Sequence, residues 1–120
     1  MKTKESEEMY LETILLLQKE KPALHAIDIV EELGYAKSSV SHALKLLRMK
    51  EYIVIDENDV IAFTPLGRKN AEAVYDRHRV LTELFVRIGA SEQMAEDNAC
   101  RIEHVISADL FALIKEYVKQ

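Results

Sequence analysis

Apolar and polar positions follow a helical period in the first half of this chain, switch to a strand period, and return to a helical one. From Ser6 to Glu20 the apolar residues Met9, Tyr10, Ile14, Leu15 and Leu17 fall on one side of a predicted helix that Pro22 closes. Ile27, Ile29, Val30 and Leu33 predict a second, short helix over Ala26 to Leu33, with Gly34 as its stop. A third helix, from about Lys37 to Lys50, buries Val40, Leu44 and Leu47, and Ala36 offers no side-chain cap at its start. The period then changes. Tyr52-Ile53-Val54-Ile55 and Val60-Ile61-Ala62-Phe63 are short and rich in β-branched residues, and the polar Asp56-Glu57-Asn58-Asp59 between them completes a hairpin pattern. Thr64-Pro65 starts a long fourth helix, with the hydroxyl as cap and proline at the first position, and Gly89 stops it after Ile88. A fifth helix begins near Ser91. Ser107 caps a sixth, with Leu110, Phe111, Ile114 and Tyr117 on its apolar face.

Three short helices, a hairpin and a helical remainder predict a mainly α chain with a small β-hairpin. The order is that of a winged helix-turn-helix over residues 1–64, followed by an α-helical dimerisation domain over residues 65–120. A chain of 120 residues, 48% of them apolar, is long enough for one domain or for two small ones sharing a core. A helical second half of this size buries little alone, so Leu81, Ile88, Met94 and Leu110 are expected to help form a two-fold interface with a second copy.

Charge refines the picture. The formal net charge of −5 excludes a protein that coats nucleic acid through bulk basicity, but it leaves room for a local basic patch. The third helix has that patch: Lys37, Lys45, Arg48 and Lys50 occur with no acidic residue among them, and Ser38, Ser39, Ser41 and His42 stand near its start. In a winged helix-turn-helix this helix enters the major groove of double-stranded DNA while the hairpin lies along the phosphates. Charge alone would equally suit a wet helix face, and it is the combination with the hairpin and the preceding short helix that favours DNA. The single cysteine cannot form an internal disulfide, which points to the reducing cytoplasm. No apolar run approaches the ~20 residues that span a bilayer, and the charged stretch Met1 to Glu8 does not resemble a signal peptide, so no membrane partner is expected.

The candidate chemistry lies in Cys100-Arg101-Ile102-Glu103-His104. On a helix, residues three and four apart share a face, so a thiol, a carboxylate and an imidazole would converge. Those donors suit a borderline transition metal rather than calcium or magnesium, and the paired Cys-x-x-Cys spacing of a structural zinc site is absent.

With these segments assembled, the chain resembles the diphtheria toxin repressor and manganese transport regulator family of metal-dependent repressors. The resemblance rests on Glu8-Met9-Tyr10-Leu11, Ser39-Val40-Ser41, Leu66-Gly67-Arg68, Arg77-His78-Arg79 and, most specifically, Ala99-Cys100-Arg101-Ile102-Glu103-His104-Val105. It implies a homodimer that binds a palindromic operator when loaded with Fe(II) or Mn(II), in short form without the SH3-like domain of longer members. It also implies site residues: Met9, Cys100, Glu103 and His104 match the effector site of the iron branch, His78 a ligand of the neighbouring site, and Glu12 a carboxylate ligand of the manganese branch. One or two ions per protomer are compatible with this set, and Co(II), Ni(II) or Zn(II) are expected to substitute in vitro. Two departures stand out: Thr82 occupies the place of an iron-branch carboxylate, with Glu83 next to it, and Glu96 aligns roughly with an ancillary histidine. The sulfur donors lean toward iron.

Other classes of function leave weaker traces. An enzyme using Cys100 and His104 lacks an oxyanion stabiliser or a substrate pocket in the sequence, so no organic substrate is expected. A winged-helix regulator sensing thiol oxidation at Cys100, or a small organic ligand, is the alternative to a metal sensor.

Overall fold

The computed structural model describes residues 4–120, with side chains from residue 6 onward. The leader-peptide question posed by Met1 to Glu8 therefore falls partly outside the described residues. The elements are α1 (Lys4–Glu20), α2 (Ala26–Leu33), α3 (Lys37–Met49), β1 (Ile53–Ile55), β2 (Ile61–Phe63), α4 (Pro65–Arg87), α5 (Glu92–Ile102) and α6 (Ala108–Lys119). The chain forms two compact units, Met1–Glu72 and Ala73–Gln120.

In the first unit, Ile14 of α1, Ile29 of α2, and Val40 and Leu47 of α3 are fully buried together with Leu24, Ile53 and Ile61. Local chemistry sets the helix ends. His25 precedes α2 in extended conformation, and its backbone N–H donates to Asp28 Oδ2 at 2.9 Å. Lys21 donates to the other oxygen of Asp28 at 2.7 Å and, together with the His25 N–H, holds that carboxyl below its usual range. Gly34 takes φ +70°, the left-handed conformation that ends a helix, and its N–H reaches the Val30 carbonyl. The turn from Gly34 to Ala36 then leads into α3, giving the helix-turn-helix.

The hairpin, or wing, is antiparallel, with Ile53 opposite Phe63 and Ile55 opposite Ile61. Each strand is one residue shorter than the sequence pattern suggests. Asp56 closes the turn by accepting the N–H groups of Asn58 (2.8 Å) and Val60 (3.0 Å). Asp59 sits at φ +62°. A two-stranded hairpin is marginal alone, and this one is tied to the core: Ile61 N–H donates to the Leu24 carbonyl at 2.8 Å, so Leu24 forms a third, single-residue rung.

The base of the wing meets the start of α4 at close quarters. Thr64 donates its hydroxyl to the Glu51 carbonyl at 2.6 Å, and the same oxygen accepts the Gly67 N–H at 3.0 Å as the cap of α4. Gly67 is buried, and a Cβ there would lie 1.8 Å from the Tyr52 carbonyl oxygen. No side-chain rotation relieves a clash between backbone atoms. Gly67→Ala is therefore expected to destabilise the protein by about 3 kcal/mol, read as a lower urea midpoint with an unchanged slope; an unaltered midpoint would contradict this packing.

In the second unit, Val74, Leu81, Ala95, Ala99 and Val118 form the buried apolar set. Ala95 and Ala99 are four apart on α5 and give it a small-residue inner face. Ser107 Oγ caps α6 by accepting the Leu110 N–H at 3.1 Å. Lys115 of α6 reaches Asp76 of α4 at 2.6 Å. Leu81 is 1% exposed, so it belongs to this core and not to an outward surface as the sequence pattern suggests. Ile88 (72%), Leu113 (69%) and Tyr117 (61%) do remain exposed. No helix among the described residues is long and apolar enough to cross a membrane.

Candidate metal centre and nucleic-acid interface

The second unit holds one carboxylate entirely out of water. Glu103 has 0% exposure. Its backbone remains helical at φ −57° and ψ −26°, and its N–H bonds to the Ala99 carbonyl, so it continues the inner stripe of Ala95 and Ala99. Burying a carboxylate costs several kcal/mol unless charge or hydrogen bonds compensate it. Here two imidazoles stand against it: His78 Nδ1 of α4 hydrogen-bonds Glu103 Oε2 at 2.9 Å, and His104 Nε2 lies 3.2 Å from Oε1. Arg77 adds a hydrogen bond from Nη1 to the Glu103 carbonyl at 2.7 Å, fixing the backbone. Tyr75 stacks near-parallel to His78, with centroids 6.4 Å apart.

The sequence places Cys100, Glu103 and His104 within one helix. In the structure α5 ends at Ile102, and His104 lies in the turn that follows. The chain reverses there into α6, with the N–H groups of Val105 and Ile106 both directed to the Ile102 carbonyl at 3.0 Å. His78, Glu103 and His104 are brought together. Cys100 stands exposed on α5, one turn before Glu103. Thr82 donates its hydroxyl to the His78 carbonyl of its own helix at 2.7 Å, so that position serves the helix backbone.

Met9 and Glu12 belong to the first unit, three residues apart on α1. Met9 is half-buried and Glu12 buried. Glu8, which the sequence pattern does not single out, is also buried, at 5% exposure. Its spacing from Glu12 puts two buried carboxylates on one face of α1, an arrangement that favours a nearby cation. The i, i+4 spacing is visible in the sequence, but nothing local distinguishes these two glutamates from the exposed ones.

The donor set fits a divalent first-row metal. Imidazole nitrogen and carboxylate oxygen are ordinary ligands for iron, manganese, cobalt or zinc, and both kinds converge in the second unit at His78, Glu103 and His104.

On α3, Lys37, Ser38, Ser39, Ser41, His42, Lys45 and Arg48 are all exposed, opposite the buried Val40, Ala43, Leu44 and Leu47. Ser41, Lys45 and Arg48 line one side of a groove of about 530 Å³, with His25 just before α2 and Ile55 and Asp59 of the wing on the others. Lys50 follows α3 and is ion-paired with Glu7 of α1, which raises the pKa of its ammonium group, and the Glu7 carboxylate offsets the charge it would offer a phosphate. The wing tip is acidic: Asp56, Glu57 and Asp59 are all exposed there. That run is plain in the sequence, but it reads first as a turn and only second as a negative charge that phosphates would repel.

Two family models cover nearly the whole chain. The iron dependent repressor N-terminal DNA binding domain matches residues 2–59, and the iron dependent repressor metal binding and dimerisation domain matches residues 64–120. The chain is 32% identical over 114 residues to the HTH-type transcriptional regulator MntR of Geobacillus kaustophilus (strain HTA426), which spans 95% of this chain and 81% of that protein. It is 33% identical over 104 residues to the diphtheria toxin repressor of Corynebacterium diphtheriae, spanning 86% of this chain and 46% of the relative. Among solved structures, a manganese-dependent transcriptional repressor in complex with manganese matches with a TM-score of 0.84 and 25% identity, over 94% of this chain and 52% of that one.

Proposed function

This chain belongs to the iron-dependent repressor family and is a metal-dependent, DNA-binding regulator of transcription, and we propose that it represses metal-uptake genes with Fe(II) or Mn(II) as co-repressor. The observation that carries the metal assignment is the fully buried Glu103 carboxylate between His78 and His104. Neither thiol-oxidation sensing nor binding of an organic effector gives those three groups a role, so metal sensing accounts for more of the molecule. The chain is assigned no catalytic activity.

His78, Glu103 and His104 would hold the ion, with Cys100 as a sulfur donor from α5 and Met9 and Glu12 as donors from α1. When bound, the metal supplies a positive charge that all these groups share. Ligands from both units make binding a switch, because an ion shifts an equilibrium only through contacts that differ between two states. One or two ions per protomer suit the number of donors. The exposed apolar residues Ile88, Leu113 and Tyr117 support a homodimer, and two α3 helices would then read the two halves of a palindromic operator. We assign the phosphate contacts to α3 and not to the acidic wing tip.

Anaerobic titration of the metal-free protein with Fe(II) and Mn(II), wild type beside Cys100→Ala, tests the proposal, with operator DNA binding measured at each step. Both metals are expected to bind saturably and to strengthen DNA binding. Cys100→Ala should weaken iron about 10-fold and manganese less. DNA binding that ignores metal would end the co-repressor proposal.

A further inference from the structure

We propose that Tyr35 is a positioning residue for the Met9 sulfur, holding it from the turn of the helix-turn-helix; this rests on the assignment of Met9 as a metal ligand. The Tyr35 hydroxyl donates to Met9 Sδ at 3.6 Å, within reach for a bond to sulfur. Its ring also meets the Tyr10 ring edge-on, with centroids 6.4 Å apart and planes at 63°. Tyr35 is 44% exposed, so burial does not fix it. Tyr10 and Met9, adjacent residues of α1, hold it in place.

A methionine side chain has three rotatable bonds and fills whatever space it is given. Its thioether sulfur is a weak acceptor and a soft donor toward metals. A hydrogen bond from Tyr35 uses one lone pair of that sulfur, restrains the rotamers, and leaves the second lone pair for an ion. A partner that orients a ligand without touching the metal is the ordinary way in which a protein sharpens affinity. Tyr35 also lies just before α3, between Gly34 at φ +70° and Ala36, the N-cap of α3. The sulfur is thereby linked through one hydroxyl to the start of the recognition helix.

The test compares wild type, Tyr35→Phe, Met9→Leu and the double variant. Tyr35→Phe keeps the ring and its packing on Tyr10 and removes only the hydroxyl. In metal-free protein labelled with 13C at the methionine methyl groups, Tyr35→Phe should shift the Met9 methyl resonance toward a rotamer-averaged position. In a Co(II) titration followed by absorption, the same variant should bind several-fold more weakly, and the loss should vanish on the Met9→Leu background. A Met9 resonance that does not move would overturn the role of Tyr35. A moved resonance with Co(II) binding unchanged in both Tyr35→Phe and Met9→Leu would instead overturn Met9 as a ligand. A loss that persists on the Met9→Leu background would show that Tyr35 acts elsewhere and would also overturn the proposal.

Discussion

Glu103→Gln is expected to weaken metal binding about 100-fold or more, since removing a direct ligand should cost at least as much as removing the groups behind one. The substitution keeps the size of the side chain and removes its charge. In metal-free protein the consequences should separate by variant. His78→Ala leaves the fully buried carboxylate with one of its imidazoles gone, and removing one partner of a buried pair costs about 3–5 kcal/mol. Glu103→Leu removes the charge itself and should be nearly neutral or mildly stabilising by the same reasoning. Calorimetric titration reads the first effect, and urea unfolding of the metal-free variants reads the other two. If Glu103→Gln titrates like the wild type, the buried carboxylate is structural and the metal lies elsewhere.

The second large effect concerns DNA. Lys45→Ala and Arg48→Ala, combined, should lower operator affinity by about two orders of magnitude at low salt. They should also reduce the slope of log affinity against log salt by roughly 0.9 for each phosphate that is no longer neutralised. Both side chains are exposed on α3 beside the groove facing the wing. Lys50→Ala should change the slope less, because Lys50 already has Glu7 as a partner. Glu57→Lys at the wing tip should act in the opposite direction and strengthen binding. Equal slopes for wild type and the Lys45/Arg48 double variant, measured by fluorescence anisotropy across a salt series, would move the interface off α3.

Much of the fold is legible in the sequence because the signals are local. Gly34 ends α2, Pro65 begins α4, and Ser107 caps α6, each through backbone chemistry confined to a few residues. The hairpin is legible from its β-branched runs, and each strand is one residue shorter than its run: the Val60 N–H turns to Asp56, and the Tyr52 N–H turns back to the Leu47 carbonyl of α3. The end of α5 is harder to place, since the spacing of Cys100, Glu103 and His104 suits a helix whether or not it continues. What stops it is the reversal into α6, a tertiary requirement. Burial is the least legible quantity. Nothing near Glu8, Glu12 or Glu103 separates them from the exposed glutamates of the same chain, and Leu81 looks like any outward leucine on an amphipathic helix. The pairing of Lys50 with Glu7 joins residues far apart in sequence and leaves no local trace. Tyr35 is similar: its partner on α1 gives it meaning, and a turn tyrosine alone gives none.

The rung between Leu24 and Ile61 has a consequence for synthesis. Chain growth delivers α1, α2 and α3 before β2 exists, so the loop after α1 must wait for Ile61 before its carbonyl finds a partner. Until then that carbonyl has only water to bond, and the junction between this loop and the wing stays open. A chain ending before Ile61 would carry every basic residue of α3 and lack the strand that anchors the loop between α1 and α2.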